Sequence, residues 1–191
     1  MDENIAAFLK VLDPSDNSTG GGTASALAGA MAGALVAMVA RLSLGKEGME
    51  SESFYKKLGA SAETLSTALF NGGHEDSQAF ESVRHAFRLP KDSDEEKSIR
   101  REAIQAAWIH AARVPLANAQ RCRQVLELGA QLRDRSNPNA ASDLACATYL
   151  ARAGMFGCLE NVEINLPAIK DQQVAGELAE RVSVLRNLDE P

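Results

Sequence analysis

Aromatic side chains are scarce in this sequence: six Phe, two Tyr and one Trp make up 5% of 191 residues. A sheet core rich in Val, Ile and Tyr is therefore not expected, and abundant Ala favours closely packed helices. Cysteine is scarce too. Cys122, Cys146 and Cys158 make an odd count of three with no CxxC spacing. That argues against a disulfide framework, suits a reducing cytoplasm, and makes buried inert thiols the expectation. No basic block interrupts a net charge of −6, so neither nucleic acid nor an anionic membrane is an expected partner. No leader is visible: Met1-Asp2-Glu3-Asn4 is acidic, with no apolar run behind it.

The pattern also lacks the parts of several chemistries. His74 and His85 share a helix face but lie about 16 Å apart along its axis. His110 is on another segment and no Cys stands at ligand spacing, so no metal is expected. No GxSxG occurs, which removes the nucleophile elbow. No strand precedes Gly20-Gly21-Gly22, so the triplet is not a dinucleotide fingerprint.

What is present is one long uncharged stretch, Asn17 to Ala40, in which three glycines run into an Ala-rich segment. It predicts a flexible loop feeding a helix from Gly22 to Leu44, roughly 34 Å long. That helix is apolar all round, which predicts burial on every side. Gly29 and Gly33 form a small-xxx-small pair for close packing. A membrane span is the alternative, but Ala and Gly drive insertion poorly.

The remaining segments read as helices too. Ile5, Phe8, Leu9 and Leu12 mark a short amphipathic helix ended by Pro14. Phe54, Leu58, Leu65 and Leu69 mark another, stopped by Asn71-Gly72-Gly73. His74-Glu75-Asp76 opens the next, broken at Leu89-Pro90. Ser93-Asp94-Glu95-Glu96 reads as a capping box, and Pro115 should kink or break the helix behind it. Asn137 caps and Pro138 starts a small-residue helix to about Gly157. Asn161 to Leu166 alternates and reads as an extended connection; Pro167 opens the last helix. About seven to nine helices and no convincing strand predict a single all-α antiparallel bundle over 1–191, with the Ala/Gly-rich helix at its centre.

Three polar groups stand out. Asp76 ends an apolar stripe of Ala79, Phe80, Val83 and Phe87. It is either a solvent-facing charge at a helix start or a carboxylate in a partly desolvated pocket. Asn139, Ser142 and Asp143 form one patch, either capping the preceding loop, or binding a heteroaromatic ligand or supplying a second acid/base. Lys91, Arg100 and Arg101 are either a solvated face, with Glu96 to Arg100 paired, or a rest for an acidic ligand.

These segments, in order, resemble the cyclodeaminase/methenyltetrahydrofolate cyclohydrolase family, which includes the C-terminal part of formiminotransferase-cyclodeaminase and stand-alone bacterial chains. The matching stretches are Gly20-Gly21-Gly22 with its Ala-rich helix, Asp76-Ser77-Gln78-Ala79-Phe80, Leu89-Pro90-Lys91 and Ala103-Ile104-Gln105. They continue through Val114-Pro115-Leu116, Asn137-Pro138-Asn139 with Ser142-Asp143, and Asn161 to Leu166. Two positions depart from the pattern: Thr19 replaces a usual Pro, and Leu144-Ala145-Cys146 replaces a usual small run.

The resemblance implies an all-helical homodimer that acts on a tetrahydrofolate derivative as substrate, without metal or cofactor. The reaction is either hydrolysis of 5,10-methenyl- to 10-formyltetrahydrofolate or closure of 5-formiminotetrahydrofolate with loss of ammonia. No formiminotransferase part is present in the sequence, which favours the hydrolysis. Asp76 and Asp143 are then the catalytic carboxylates, with Asn137, Asn139 and Ser142 about the ligand and Lys91 meeting its glutamate tail. Gly20, Gly21 and Gly22 offer backbone N–H groups beside a helix N-terminus. The competing class is a non-catalytic folate-binding or scaffold bundle.

Overall fold

The computed structural model describes residues 3–16 and 18–187. The Met1-Asp2 start read against a leader lies outside the described residues, as does Asn17. Six α-helices and two 3₁₀ turns form the described chain: α1 (Glu3–Val11), α2 (Gly21–Ser43), α3 (Glu52–Arg88), α4 (Asp94–Leu132), α5 (Ala141–Asn165) and α6 (Gln172–Asn187). The turns are Pro138–Ala140 and Leu166–Ala168. No strand occurs among the described residues, and the all-α antiparallel bundle expected from the sequence is what forms.

α2 is the central helix, packed against α3, α4 and α5. Glycines set the closeness. A Cβ on Gly33 would sit 3.1 Å from the Ala62 carbonyl of α3, and one on Gly154 of α5 would sit 2.7 Å from the Ser25 carbonyl of α2. Gly29 meets Cys122 of α4 and Leu69 of α3. These pairings run α3 and α5 antiparallel to α2, with α4 parallel to it. Where α2 ends, Gly45 (φ 66°) and Gly48 (φ 75°) turn the chain through left-handed backbone.

Burial of α2 is incomplete. Ala24, Ala28, Met31, Leu35, Met38 and Leu42 form a partly exposed line, with Met31 49% and Leu42 44% exposed. So α2 is buried on three sides, not four. Its length and composition would suffice to cross a membrane, but most of it is buried inside the bundle.

Predicted breaks are absent at three places, each for a visible reason. α3 runs straight through Asn71-Gly72-Gly73. Gly72 is spent on close approach to α4, where Asn118 Nδ2 donates to its carbonyl at 3.0 Å. α4 runs through Pro115. A proline at that position leaves the Ala111 carbonyl without its helical donor, and Asn165 Nδ2 supplies one at 2.9 Å. The same Asn165 belongs to the segment expected to be extended, which instead continues α5. Pro167 starts only a 3₁₀ turn, and α6 begins later, after Asp171 accepts from the N–H groups of Gln173 and Val174. The Ser93–Glu96 capping box forms in full.

The main core lies between α2, α3, α4 and α5. Beyond the start of α2, the α3–α4 hairpin overhangs by about 18 Å around a second small cluster of Ala79, Val83, Ala86, Ala107, Ala111 and Val114. This overhang makes the wall of the site. Of the three thiols, Cys122 and Cys158 are buried and Cys146 is exposed on α5, so only two fit the buried expectation.

Candidate active site

Asp76 sits in mid-α3, level with the first turn of α2. It is not the first-turn acid of a new helix, because α3 does not break before it. Gly22 makes room for it: a Cβ there would lie 2.6 Å from both carboxylate oxygens. Thr23 Oγ1 donates to Asp76 Oδ2 at 3.1 Å, and the Thr23 backbone N–H donates as well. α2 has no side-chain cap of its own at Gly20. Asp76 supplies one from the neighbouring helix, where the α2 dipole favours negative charge.

Two effects compete for the Asp76 proton. Burial pushes its carboxyl above the ordinary carboxylate range, and the two Thr23 hydrogen bonds pull it back. The net shift is upward. A carboxyl held this way is suited to accept a proton and return it.

A cavity of about 340 Å³ opens in front of it, bounded by Thr19, Gly20 and Gly22 below, Phe80 and Trp108 on the overhang, and Asn161, Ile164 and Asn165 of α5. Phe80 is 44% exposed, and Trp108 is braced edge-on by Phe87 at 6.5 Å. Two aromatic faces, one carboxylate, two amides and a helix N-terminus converge here. That set suits a flat heteroaromatic ligand carrying positive charge.

The other sequence candidates lie elsewhere. Asn137 is anchored to the opposite end of α2: its Nδ2 donates to the Leu42 carbonyl at 3.2 Å, its N–H donates to Ser43 Oγ at 2.8 Å, and its Oδ1 accepts from the Asn139 N–H. This end is about 30 Å along α2 from Gly22. Asn139 and Ser142 are exposed there, and Asp143 is half-buried. Counted down α5 from Gly157, which abuts Ser25, Asp143 lies about 25 Å from the Asp76 level. The chain thus groups Asp76 with Gly20, Gly21 and Gly22, and groups Asn137 with Asn139, Ser142 and Asp143, without joining the two sets. Lys91 is exposed in the α3–α4 turn, beyond the overhang. Arg100 does not pair with Glu96; it donates to the Phe87 carbonyl and stacks 5.7 Å over that ring.

A larger cavity of about 790 Å³ lies at the Asn137 end, between α4 and α5. Its rim includes Arg123, which is held by Glu127 at 3.0 Å. The Asp76 cleft, where a partly desolvated carboxyl meets the start of α2, is the better candidate for proton-transfer chemistry despite its smaller size.

The formiminotransferase-cyclodeaminase family model matches residues 4–184. The chain belongs to that family. It is 38% identical over 176 residues to the methenyltetrahydrofolate cyclohydrolase of Methylorubrum extorquens, covering 92% of this chain and 85% of the relative. It is 28% identical over 186 residues to the formimidoyltransferase-cyclodeaminase of Rattus norvegicus, spanning 97% of this chain but 34% of that longer protein. Its fold matches the crystal structure of formiminotetrahydrofolate cyclodeaminase from Thermotoga maritima with a TM-score of 0.80 and 27% identity, over 98% of this chain and 88% of that one.

Thr19, where the family pattern has Pro, lies on the cleft floor. Leu144, in the other departing run, packs toward Gly129, far from Asp76. The sequence assigned no role to Thr23 or Trp108, and named Asn161 and Asn165 only within a matching stretch. The i, i+4 pair Asn161 and Asn165 was legible as one helix face, and Pro115 signalled that some donor had to reach Ala111.

Proposed function

We propose that this folate one-carbon cyclohydrolase/cyclodeaminase hydrolyses the 5,10-methenyl bridge of tetrahydrofolate to the 10-formyl form, with Asp76 as the central proton-transfer group. The supporting observation is Asp76 itself: a partly desolvated carboxyl, held by Thr23 at the uncapped start of α2, facing an aromatic-walled cleft. The 38% identity to a methenyltetrahydrofolate cyclohydrolase favours this reaction. The likeness to the Thermotoga cyclodeaminase supports a second reading at the same site, closure of the formimino derivative with release of ammonia.

Both reactions pass through one tetrahedral carbon between N5 and N10. The methenyl form is a cation, which a fixed carboxylate stabilises in a low-dielectric cleft. Phe80 and Trp108 would flank the pterin. Water attacks the bridging carbon and gives its proton to Asp76. N5 then leaves and takes that proton back, while the new hydroxyl loses its own to a second acceptor. The first N–H groups of α2 face the oxygen that becomes the formyl group. The substrate is the only non-protein partner this chemistry requires, and neither a metal nor a cofactor enters it. Lys91, exposed between α3 and α4, would meet the glutamate tail of the folate.

The reading includes a homodimer. The partly exposed line of α2 is apolar at spacings of four and three, the pattern of a helix–helix seam. Following the methenyl chromophore with purified protein tests the function. The signal should fall when methenyltetrahydrofolate is supplied and the protein is present, faster than in buffer. Saturable folate binding without turnover would instead make it a binding protein.

A further inference from the structure

The fold does not need the side chain of Asn161. Its Nδ2 donates to the Gly157 carbonyl at 2.9 Å, one turn back along α5, where the Asn161 backbone N–H already finds its helical acceptor. Asn165, one turn further on, has a structural duty: its Nδ2 donates to the Ala111 carbonyl that Pro115 leaves without a helical donor. Asparagine is otherwise poorly suited to a helix interior, because its amide competes with the backbone. Folding therefore accounts for Asn165 and leaves Asn161 unexplained.

Asn161 is half-buried and lines the Asp76 cleft. A Cβ on Gly21 would lie 3.3 Å from its Nδ2, as one on Gly22 would lie 2.6 Å from the Asp76 carboxylate. The amide and the carboxyl thus flank consecutive residues in the first turn of α2. With Nδ2 held on Gly157, Oδ1 is the amide atom left for the cavity, and it has no hydrogen-bond donor among the described residues. The bond that Asn165 Nδ2 makes to this residue goes to its backbone carbonyl. Beside it, Gly21 is the first residue of α2, so its N–H has no helical acceptor. The cleft offers a backbone donor next to a side-chain acceptor, one residue from the carboxyl.

That pair complements a lactam, a ring carbonyl adjacent to a ring N–H. The pterin of a folate carries one such edge, its C4 carbonyl and N3–H, and the C4 carbonyl lies on the side of the ring that carries N5. A lactam read at Gly21 and Asn161 therefore turns N5 toward Gly22 and Asp76. We infer that Asn161 is a specificity residue for the pterin ring: its Oδ1 accepts from N3–H, while the Gly21 N–H donates to the C4 carbonyl. The inference rests on the proposed folate reaction for its ligand, and on the position of the amide for its geometry. A 2,4-diamino ring carries an amino donor in place of the carbonyl and a bare nitrogen in place of N3–H. Against this edge it sets donor on donor and acceptor on acceptor, and the cleft should reject it.

Tetrahydrofolate and its 4-amino counterpart, tetrahydroaminopterin, differ only at this edge, and their binding measured by calorimetry tests the contact. Wild type should prefer tetrahydrofolate by roughly 10–100-fold. Asn161→Leu removes the acceptor at similar size, and Asn161→Ala removes it with a residue that suits the helix; each is checked by its melt. In either variant that folds, the preference should fall to about threefold or less, through weaker binding of tetrahydrofolate. KM for methenyltetrahydrofolate should rise roughly tenfold or more while kcat stays within about threefold, as expected when an interaction equal in ground and transition states is lost. Weakening of both ligands by one factor, an unchanged preference, or a wild type that does not discriminate would overturn the contact. So would loss of folding in both variants, because the side chain would then be structural. A wild type that discriminates between the rings but turns over neither methenyl- nor formiminotetrahydrofolate would sink the proposed function and leave the contact standing. Turnover without discrimination would do the reverse.

Discussion

Asn165 should be worth far more than an ordinary half-exposed amide, and Pro115 is the reason. Asn165 Nδ2 donates to the Ala111 carbonyl at 2.9 Å and to the Asn161 carbonyl at 2.8 Å. Ala111 is buried, and proline at 115 cannot return the usual helical hydrogen bond to it. Asn165→Ala therefore leaves a buried acceptor unsatisfied, at a cost of about 1–3 kcal/mol. For a chain of this size that lowers the melting temperature by roughly 2–12 °C. In a Pro115→Ala background the new N–H can serve Ala111 from within α4. The same Asn165→Ala change should then cost about 1 kcal/mol or less, giving a coupling of about 1–2 kcal/mol. The assay is a double-mutant cycle by urea denaturation at one fixed protein concentration. Strict additivity of the two substitutions would refute the argument that Asn165 repairs what Pro115 removes.

Gly29→Ala should cost about 1–3 kcal/mol, because the added methyl meets Cys122 and Leu69; the loss should shrink in a Cys122→Ala background, and an unchanged melt would place Gly29 wrongly. Asp76→Asn should raise stability at neutral pH. The folded carboxyl titrates above its unfolded value, so the wild type loses stability as pH rises through that interval and regains it below. The gap between variant and wild type should close toward acid, and a gap that widens there would contradict the burial argument. Thr23→Val removes a hydrogen bond that holds the Asp76 proton affinity down, so the acid limb of the pH–rate profile should move to higher pH; a limb that stays put would separate Thr23 from the titrating group.

The bundle was legible from composition and 3–4 spacing, since both report burial directly. The capping box was legible because it is a local hydrogen-bond pattern, and Ser93 and Glu96 form it whatever surrounds them. The breaks at Gly72-Gly73 and Pro115 were not. Each is locally a helix stop, overridden by a partner distant in sequence: Asn118 against Gly72, and Asn165 beneath Ala111. The same cause hid part of the site. Asp76 looked like a first-turn acid because α3 seemed to begin there. With the helix continuous, its position beside the glycines of α2 follows from packing across a sequence separation of 53. Asn137 read equally well as a cap or a ligand group, and its two amide atoms are used to cap the turn and to tie down the end of α2. The partly exposed line on α2 was invisible to a pattern that is apolar on every side, because only the folded chain shows which side was left exposed.

The most direct test of the central claim is single-turnover hydrolysis of 5,10-methenyltetrahydrofolate by wild type and Asp76→Asn, measured beside folate binding. The account predicts that the variant binds the folate, stays folded, and loses roughly 10²–10⁴-fold in rate. A folded Asp76→Asn protein that hydrolyses the methenyl bridge at the wild-type rate would contradict it.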